Sequence, residues 1–423
     1  MTNTMKHSGI PWIGNIPNHW EVELIGNHIK EVDCPNSANN ESNALQFKMG
    51  TIIPKKGGDS KYNPETLESY NIVEKGDIII NGLNLSFDFI SQRVGLVKEK
   101  GVITSAYLAV RPDKAINSEY LTYLFKAYDN CKAFHGMGKG LRQTLAYKEF
   151  KTNLIFVPPL TEQKAIADYL DKHCAEVDEM VSLQEKIIEE LRAYRQAIIT
   201  ETVTRGLNPN APMKDSGVEW IGQIPERWDV NKTIRLFETI GSGTTPKFDD
   251  IIEERNINWL QSGDINGGYI EKAQNQIPER ILNQYSALKI YTSPYIIIAM
   301  YGASIGNTAI SLIDACVNQA CCVLQKSKQI QSYFFYALQS AKSYWNMLSV
   351  GGGQPNISQE IIKQTWLPVP PLHEQQEIAD YLDKKTAKID QLIAIKLQKI
   401  EELKEYRKSL IYEYVTGKKQ PIL

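Results

Sequence analysis

The chain has 423 residues, 42% of them apolar, 9% aromatic and 23% charged, which excludes a disordered, collagen-like or low-complexity chain and allows two or three domains of roughly 100 to 200 residues. With 47 Lys plus Arg against 49 Asp plus Glu, the net charge of -2 withholds the basic excess of a protein that coats nucleic acid unaided, so any such role is local or shared with a partner. The longest apolar stretch, Tyr295 to Ile305, is 11 residues and contains glycine, short of the roughly 20 that a membrane helix needs, and MTNTMKHSGIPWIG has no signal-peptide run, so a cytoplasmic chain without a membrane is expected.

In chain order, SGIPWIGNIPNHWEV at Ser8 to Val22 comes first. The apolar run Ile78 to Ile80, behind Lys75-Gly76-Asp77, reads as a buried strand, and ITSAYLAV from Ile103 reads as another. Ser118-Glu119-Tyr120 opens an amphipathic helix capped by small polar residues. A glycine cluster, GMGKG at Gly136, precedes Pro158-Pro159, which stops the strand before them. Thr161 then sits in the cap region of a long helix, with Glu162 favourable in its first turn. Thr161 to Thr204 would span about 66 Å at roughly 1.5 Å per residue, with a kink allowed near Lys172 to Cys174.

The series then repeats. SGVEWIGQIPERWDV at Ser216 to Val230 matches the opening at nine of 15 positions with an offset of 208. VPPLTEQKAIADYLDKHCAEVD from Val157 and VPPLHEQQEIADYLDKKTAKID from Val369 match at 15 of 22 positions with an offset of 212, and the likeness runs without a gap to Val203-Thr204 and Val415-Thr416. Between them Ile296 to Ile298 follows Ser293-Pro294, VNQACCVL starts at Val317, Gln331-Ser332-Tyr333 opens a helix, and GGGQPNIS at Gly351 leads to Pro370-Pro371. A period near 210 is far too long for a solenoid, so each copy is a domain plus an arm, and two copies predict a pseudo-dyad. Both arms carry an apolar stripe at three-to-four spacing, so the expectation is an antiparallel coiled coil in which Ile187, Leu191, Tyr194 and Ile198 meet Ile400, Leu403, Tyr406 and Leu410.

Catalytic signatures do not assemble. There is no GxxxxGK[ST], no CxxC, HxxxH or HExxH, and the six cysteines read as buried reduced thiols. Phe134-His135-Gly136-Met137-Gly138 fits FxGxG but lacks the Asn-Pro-Pro-Tyr that would hold a flipped base, and reads as a glycine turn. Pro112-Asp113 with Glu149-Phe150-Lys151 mimics a nuclease set, yet its second-copy equivalent, Ile361-Ile362-Lys363, lacks the acid, so surface ion pairs are preferred. Asp249, Asp250, Glu253 and Glu254 read as a solvated helix start. No metal and no cofactor is expected. What the blocks offer is polar, basic and aromatic side chains on glycine-rich loops, suited to base edges and phosphates. In the first block these are Lys48, Lys55, Lys56, Lys61, Tyr62, Asn81, Asn84, Arg93, Lys139, Arg142 and Gln143. In the second they are Thr244, Thr245, Lys247, Gln261, Ser262, Asn266, Tyr301, Ser304, Asn307, Gln354 and Asn356.

The doubled PPLxEQxxIADYLDK, WIGxIPxxW before each block, and SGTTP, WLQSGDIN, IIIAMYGASIGNTAI, NQACC and GGGQPNIS in the second copy make the chain resemble a specificity subunit of a type I restriction-modification system over nearly its whole length. The resemblance implies an α+β chain with two pseudo-symmetric α/β target recognition domains, at 1–157 and 207–369, separated by two helical arms, at 158–206 and 370–423, that form an antiparallel coiled coil. It implies that each domain reads one half of a bipartite site on double-stranded DNA while the arms set the spacer and dock two copies of an adenine-N6 methyltransferase. An ATP-dependent nuclease and translocase subunit joins such complexes, and the subunit itself is not catalytic. The first block departs from the pattern, with NGLNLSFDFISQRVGLV in place of AMYGASIGNTAI and GKGLRQTLA in place of GGGQPNIS, which implies a different half-site. The competing expectation is an orphan sequence-specific DNA-binding protein derived from such a subunit.

Overall fold

A computed structural model describes residues 4–10, 12–55, 64–139, 143–247, 256–349 and 355–421. Packing divides the chain into two units, Met1–Glu185 with Leu397–Leu423, and Lys186–Lys396. Each unit takes in about half of each arm helix. Among the described residues no helix is long and apolar enough to cross a membrane.

Each unit is built on a sheet whose central strand is apolar on both faces. In the first, Ile29–Glu31, Leu108–Pro112, Ile78–Ile80 and Val94–Leu96 pair in that order, all antiparallel. In the second, Thr239–Gly241, Cys321–Gln325, Tyr295–Ala299 and Thr308–Ser311 pair in the equivalent order, and Tyr269–Ile270 adds a parallel edge. Ile78–Ile80 and Tyr295–Ala299 are buried at every residue, as unbroken apolar runs require. ITSAYLAV and VNQACCVL are each two strands rather than one. Thr104 Oγ1 accepts from the Ala106 N–H at 3.3 Å and Asn318 Oδ1 from the Ala320 N–H at 3.1 Å, and these local turns break the ladder. The helices Ser118–Asn130 and Gln331–Ser340 pack into the same cores. Asn117, not Ser118, caps the first, accepting from the Tyr120 N–H at 2.7 Å. Cys174, Cys316, Cys321 and Cys322 are buried free thiols, but Cys34 and Cys131 are exposed: Cys131 caps the helix end and Cys34 lies beyond the edge strand.

The arm helices run unbroken over Leu160–Arg205 and Leu372–Val415. No kink forms at Lys172 to Cys174, where neither Pro nor Gly interrupts the hydrogen bonding. The repeated motifs are the parts that seat these helices. The indole N–H of fully buried Trp20 donates to Glu162 Oε2 at 3.0 Å, and that of Trp228 to Glu374 Oε2 at 2.9 Å. The Gln163 amide donates to the Pro158 carbonyl and accepts from the Asn117 N–H, both at 2.8 Å. Gln375 does the same with the Pro370 carbonyl and the Ile330 N–H, at 2.8 and 3.0 Å. Asp171 accepts from the Tyr123 hydroxyl at 2.7 Å and Asp383 from Tyr336 at 2.6 Å.

The far end of each arm docks on the other repeat. Within the first unit Gly417, at φ +69°, ends the second arm against the Trp20 ring, where a Cβ would come within 2.9 Å. Within the second, Gly206, at φ +75°, ends the first arm against Trp228 at 3.0 Å. The arms are therefore antiparallel in each unit, with a register in which Leu410 and Ile198 lie in different cores. Arg407 bonds Asp178 at 3.1 Å in the first unit, and the equivalent Arg195 bonds Asp390 at 3.0 Å in the second. The C-terminal half of each arm thus packs on the N-terminal half of the other. Leu410 joins Ile166, Ala167, Leu170 and Cys174 rather than Ile198, and Ile198 packs against the core holding Ile378, Ala379 and Leu382. Tyr194 and Tyr406 are each 56% exposed, Ile400 and Leu403 are buried, and Ile187 and Leu191 are half-buried.

Removing the carboxylate from this joint strands a buried indole donor. Glu374→Ala is expected to lower the unfolding free energy by about 1–3 kcal/mol, and Glu374→Gln, which keeps an acceptor oxygen, by less. Urea denaturation followed by tryptophan fluorescence measures both.

Candidate nucleic-acid interface

In the second unit hydrogen bonds link five loops into one ledge at the end of the central strands. The Gly302 N–H donates to the Pro355 carbonyl at 2.9 Å, and Tyr301 bridges Asn356. Asn307 Nδ2 reaches the Ile265 carbonyl at 3.3 Å, the Asn318 N–H the Leu260 carbonyl at 3.0 Å, and Thr245 Oγ1 the Gln319 Oε1 at 2.7 Å. Thr244, Thr245, Gln261, Ser262, Asn266, Tyr301, Ser304, Asn307 and Asn356 therefore lie on connected backbone, with Lys247 at the end of the Thr245 loop. Of these Thr245, Lys247, Asn266, Tyr301 and Asn356 are exposed. Gln261 opens a short turn in which Asp264 Oδ2 accepts its N–H at 2.8 Å, and Ser304 Oγ donates to the Tyr301 carbonyl at 2.9 Å. Gln319 is exposed on this ledge and escaped the sequence reading; its signal was the Asn-Gln turn between two apolar strands.

In the first unit the equivalent loop follows Ile78–Ile80 and runs to Arg93. It adjoins the loop carrying Lys139 and Gln143, since the Leu85 N–H donates to the Gln143 carbonyl at 3.2 Å and the Leu145 N–H to the Gly82 carbonyl at 2.9 Å. Lys48 is exposed at the tip of the Leu45–Lys48 and Thr51–Pro54 hairpin, and Lys55 is half-buried beyond it. Lys139 is largely exposed and lies 3.4 Å from Glu149. Asn81 is half-buried, its Oδ1 accepting from the Leu83 N–H at 3.2 Å, and Asn84 holds a left-handed turn at φ +53°. Lys56, Lys61, Tyr62, Arg142 and Gln354 lie outside the described residues, as do Asp249, Asp250, Glu253 and Glu254.

Two candidates turn inward. Arg93 is fully buried, and its guanidinium donates to the carbonyls of Asn81 at 2.9 Å, Leu83 at 2.9 Å and Asp88 at 2.6 Å. Its own N–H donates to Asp129 Oδ2 at 2.8 Å. Arg93 is thus the internal brace of the loop and offers nothing to a base. Asn307 stands at the same place in the second sheet, just before the strand, and Lys342 Nζ donates to its Oδ1 at 2.7 Å. Both residues tie a loop to the adjoining helix, with the acid on the helix in one unit and the base on it in the other. The N–H and hydroxyl of Ser91, with the Ile90 N–H, hold the Asp88 carboxyl down to about 2. The braced loop displays Phe87 at 76% exposure and Ile90 at 90%, which the sequence reading passed over because apolar residues between two strands look like core.

Residues 55–193 and 225–405 match the family described as type I restriction modification DNA specificity domain, and the chain belongs to that family. It is 27% identical over 420 residues to the type I restriction enzyme MjaVIII specificity subunit of Methanocaldococcus jannaschii, covering 95% of this chain and 93% of that one. It is 28% identical over 262 residues to the EcoBI specificity subunit of Escherichia coli, covering 59% and 54%. A solved chain from work on complex assembly and conformational transition of the type I R-M system shares the fold, with a TM-score of 0.69 at 16% identity, covering 95% of this chain and 99% of that one.

If Arg93 is a brace, Arg93→Ala leaves the carbonyls of Asn81, Leu83 and Asp88 without their donor and is expected to cost about 1–3 kcal/mol. Tyr301→Ala, on an exposed ledge, is expected to change stability by less than about 0.5 kcal/mol while weakening DNA binding. Thermal denaturation paired with a gel-shift titration separates the two effects.

Proposed function

We propose that this chain is the sequence-reading subunit of a type I restriction-modification complex, without catalytic chemistry of its own. One observation carries the reading most directly: the tryptophan–glutamate, glutamine–proline carbonyl and tyrosine–aspartate bonds that seat the arms recur in both units, while the exposed side chains on the sheet-end loops differ. A shared frame with two different reading surfaces suits a bipartite site on double-stranded DNA, one half for each recognition domain. The exposed Lys48 and Lys139 in the first unit, and Thr245, Lys247, Asn266, Tyr301 and Asn356 in the second, are the contacts assigned to bases and phosphates. Arms that begin in one unit and end in the other act as the ruler for the unread spacer. Their charged solvent faces are the docking surfaces for two adenine-N6 methyltransferase subunits, which would flip the target base. An ATP-dependent nuclease and translocase subunit completes the complex.

Exchange of residues 208–368 for the equivalent block of a relative tests the reading. Methylome sequencing of a host expressing the chimera with its methyltransferase is expected to show one half of the methylated sequence altered and the other kept. A change in both halves would remove the division of labour.

The ruler has its own test. Because the arms pair antiparallel, four residues must be inserted in both, after Ser182 and after Ala394, adding about 6 Å to each helix at roughly 1.5 Å per residue. Both half-sequences are expected to persist with a spacer lengthened by one or two base pairs, each worth about 3.4 Å. An unchanged spacer in an active complex would show that the arms only brace their own domains.

A further inference from the structure

The two units differ where the sheet-packed helix meets the arms. In the second unit Gln339 fills this place: its Oε1 accepts from Arg195 at 3.2 Å, and its carbonyl accepts from Gln196 Nε2 at 3.2 Å. The helix is stitched to the arm. At the equivalent position the first unit has Lys126, one helical turn from Asp129 and beside Arg407, the counterpart of Arg195. Two cations cannot make that stitch, and a cleft of about 620 Å³ opens between helix, arms and the braced loop.

The chemistry lining this cleft is unbalanced in a specific way. Arg407 is matched by Asp178, Lys404 by Glu401 at 2.8 Å and Lys408 by Glu405 at 2.6 Å. Lys126 has no ion pair or hydrogen bond among the described residues, only the Tyr123 ring 5.4 Å away. Burial, with Arg407 adding to it, pushes its ammonium down to about 8. Asp129, 4% exposed, accepts the Arg93 N–H on one oxygen and leaves Oδ1 without a partner. Met49, Phe89 and Ile90 line the same cleft and are 66%, 54% and 90% exposed. The cleft therefore asks for an acceptor at Lys126, a donor at Asp129 and apolar side chains beside Phe89 and Ile90. A DNA backbone offers acceptors only, and its phosphates would face Asp129, Asp178 and Glu401. A polypeptide supplies a carboxylate, backbone N–H groups and apolar side chains together, the composition of a protein–protein anchor.

We propose that the cleft receives an acidic, apolar segment of one methyltransferase subunit, its carboxylate on Lys126, so that the first unit holds its methyltransferase through a contact the second unit replaces with Gln339. This rests on the reading of the arms as methyltransferase docking surfaces. The two copies would then be held unequally, one anchored by cleft and arm, the other by arm alone.

The test uses the full chain and a type I methyltransferase subunit from the same source, titrated and read by native mass spectrometry. Wild type is expected to take two copies in two separable steps. Lys126→Glu and, independently, the surface change Ile90→Asp are expected to weaken the tighter step at least tenfold and leave the other in place. Lys126→Arg should retain both steps, and Gln339→Ala should leave the tighter one unaltered. Two unaltered steps in both Lys126→Glu and Ile90→Asp, with each variant folded by circular dichroism, would overturn the proposal. Loss of DNA affinity with both steps intact would overturn it too, by assigning the surface to DNA. Absence of any binding by wild type would instead overturn the arm reading on which it stands.

Discussion

Everything else in this molecule hangs on a buried indole that must find an acceptor. Trp20 and Trp228 fill the cores of their units, and each indole N–H has one partner, the first-turn glutamate of an arm helix. Leaving that donor dry would cost more than the bond itself is worth. The need fixes where the helix starts, and Gln163 and Gln375 fix its direction by clasping the preceding proline carbonyl. Once the start is set, the Tyr–Asp bond a few turns on sets the face that looks inward. The same tryptophan also receives the end of the other arm, through a glycine that alone tolerates the backbone conformation and the close ring. One side chain thus decides both the departure of one helix and the arrival of the other.

Against this constancy the sheet-end loops differ, and each is tied to the adjoining helix just before the strand that follows it. In the first unit Asp129 takes the backbone N–H of residue 93, and in the second Lys342 donates to the Asn307 side chain. The sheet strand that follows is the same in both, so the contact that ties the loop to its helix is free to differ. The first unit builds a long loop with apolar tips around its arginine, and the second a short one around its asparagine. Recognition surfaces can diverge this far without disturbing the arms.

The arms and the two central strands were legible in the sequence because their signals are periodic or continuous: a three-to-four stripe over about six turns, and Ile78 to Ile80 or Ile296 to Ile298 without a polar break. The helix register was not. A stripe states which face is buried but not which partner residue it meets, and the pairing is decided by where Trp20 and Trp228 receive the glycine ends. Composition also misplaced Arg93: an arginine in a loop looks like a ligand for phosphate, and only the folded chain shows three carbonyls converging on it. Lys126 was hidden for the opposite reason, since a lysine on an amphipathic helix reads as its solvated face.

The near-identity of Val157–Asp178 and Val369–Asp390 has a consequence for inheritance. The glutamate, glutamine and aspartate of these stretches are held constant by their contacts, so two genes of this kind would stay alike there even as their reading loops drift apart. A genetic crossover within such a stretch transfers an entire recognition block and leaves every seating bond matched on both sides. The requirement that keeps an indole satisfied therefore also makes each recognition block an exchangeable piece of chain, since a join within either stretch keeps the same glutamate, glutamine and aspartate in place.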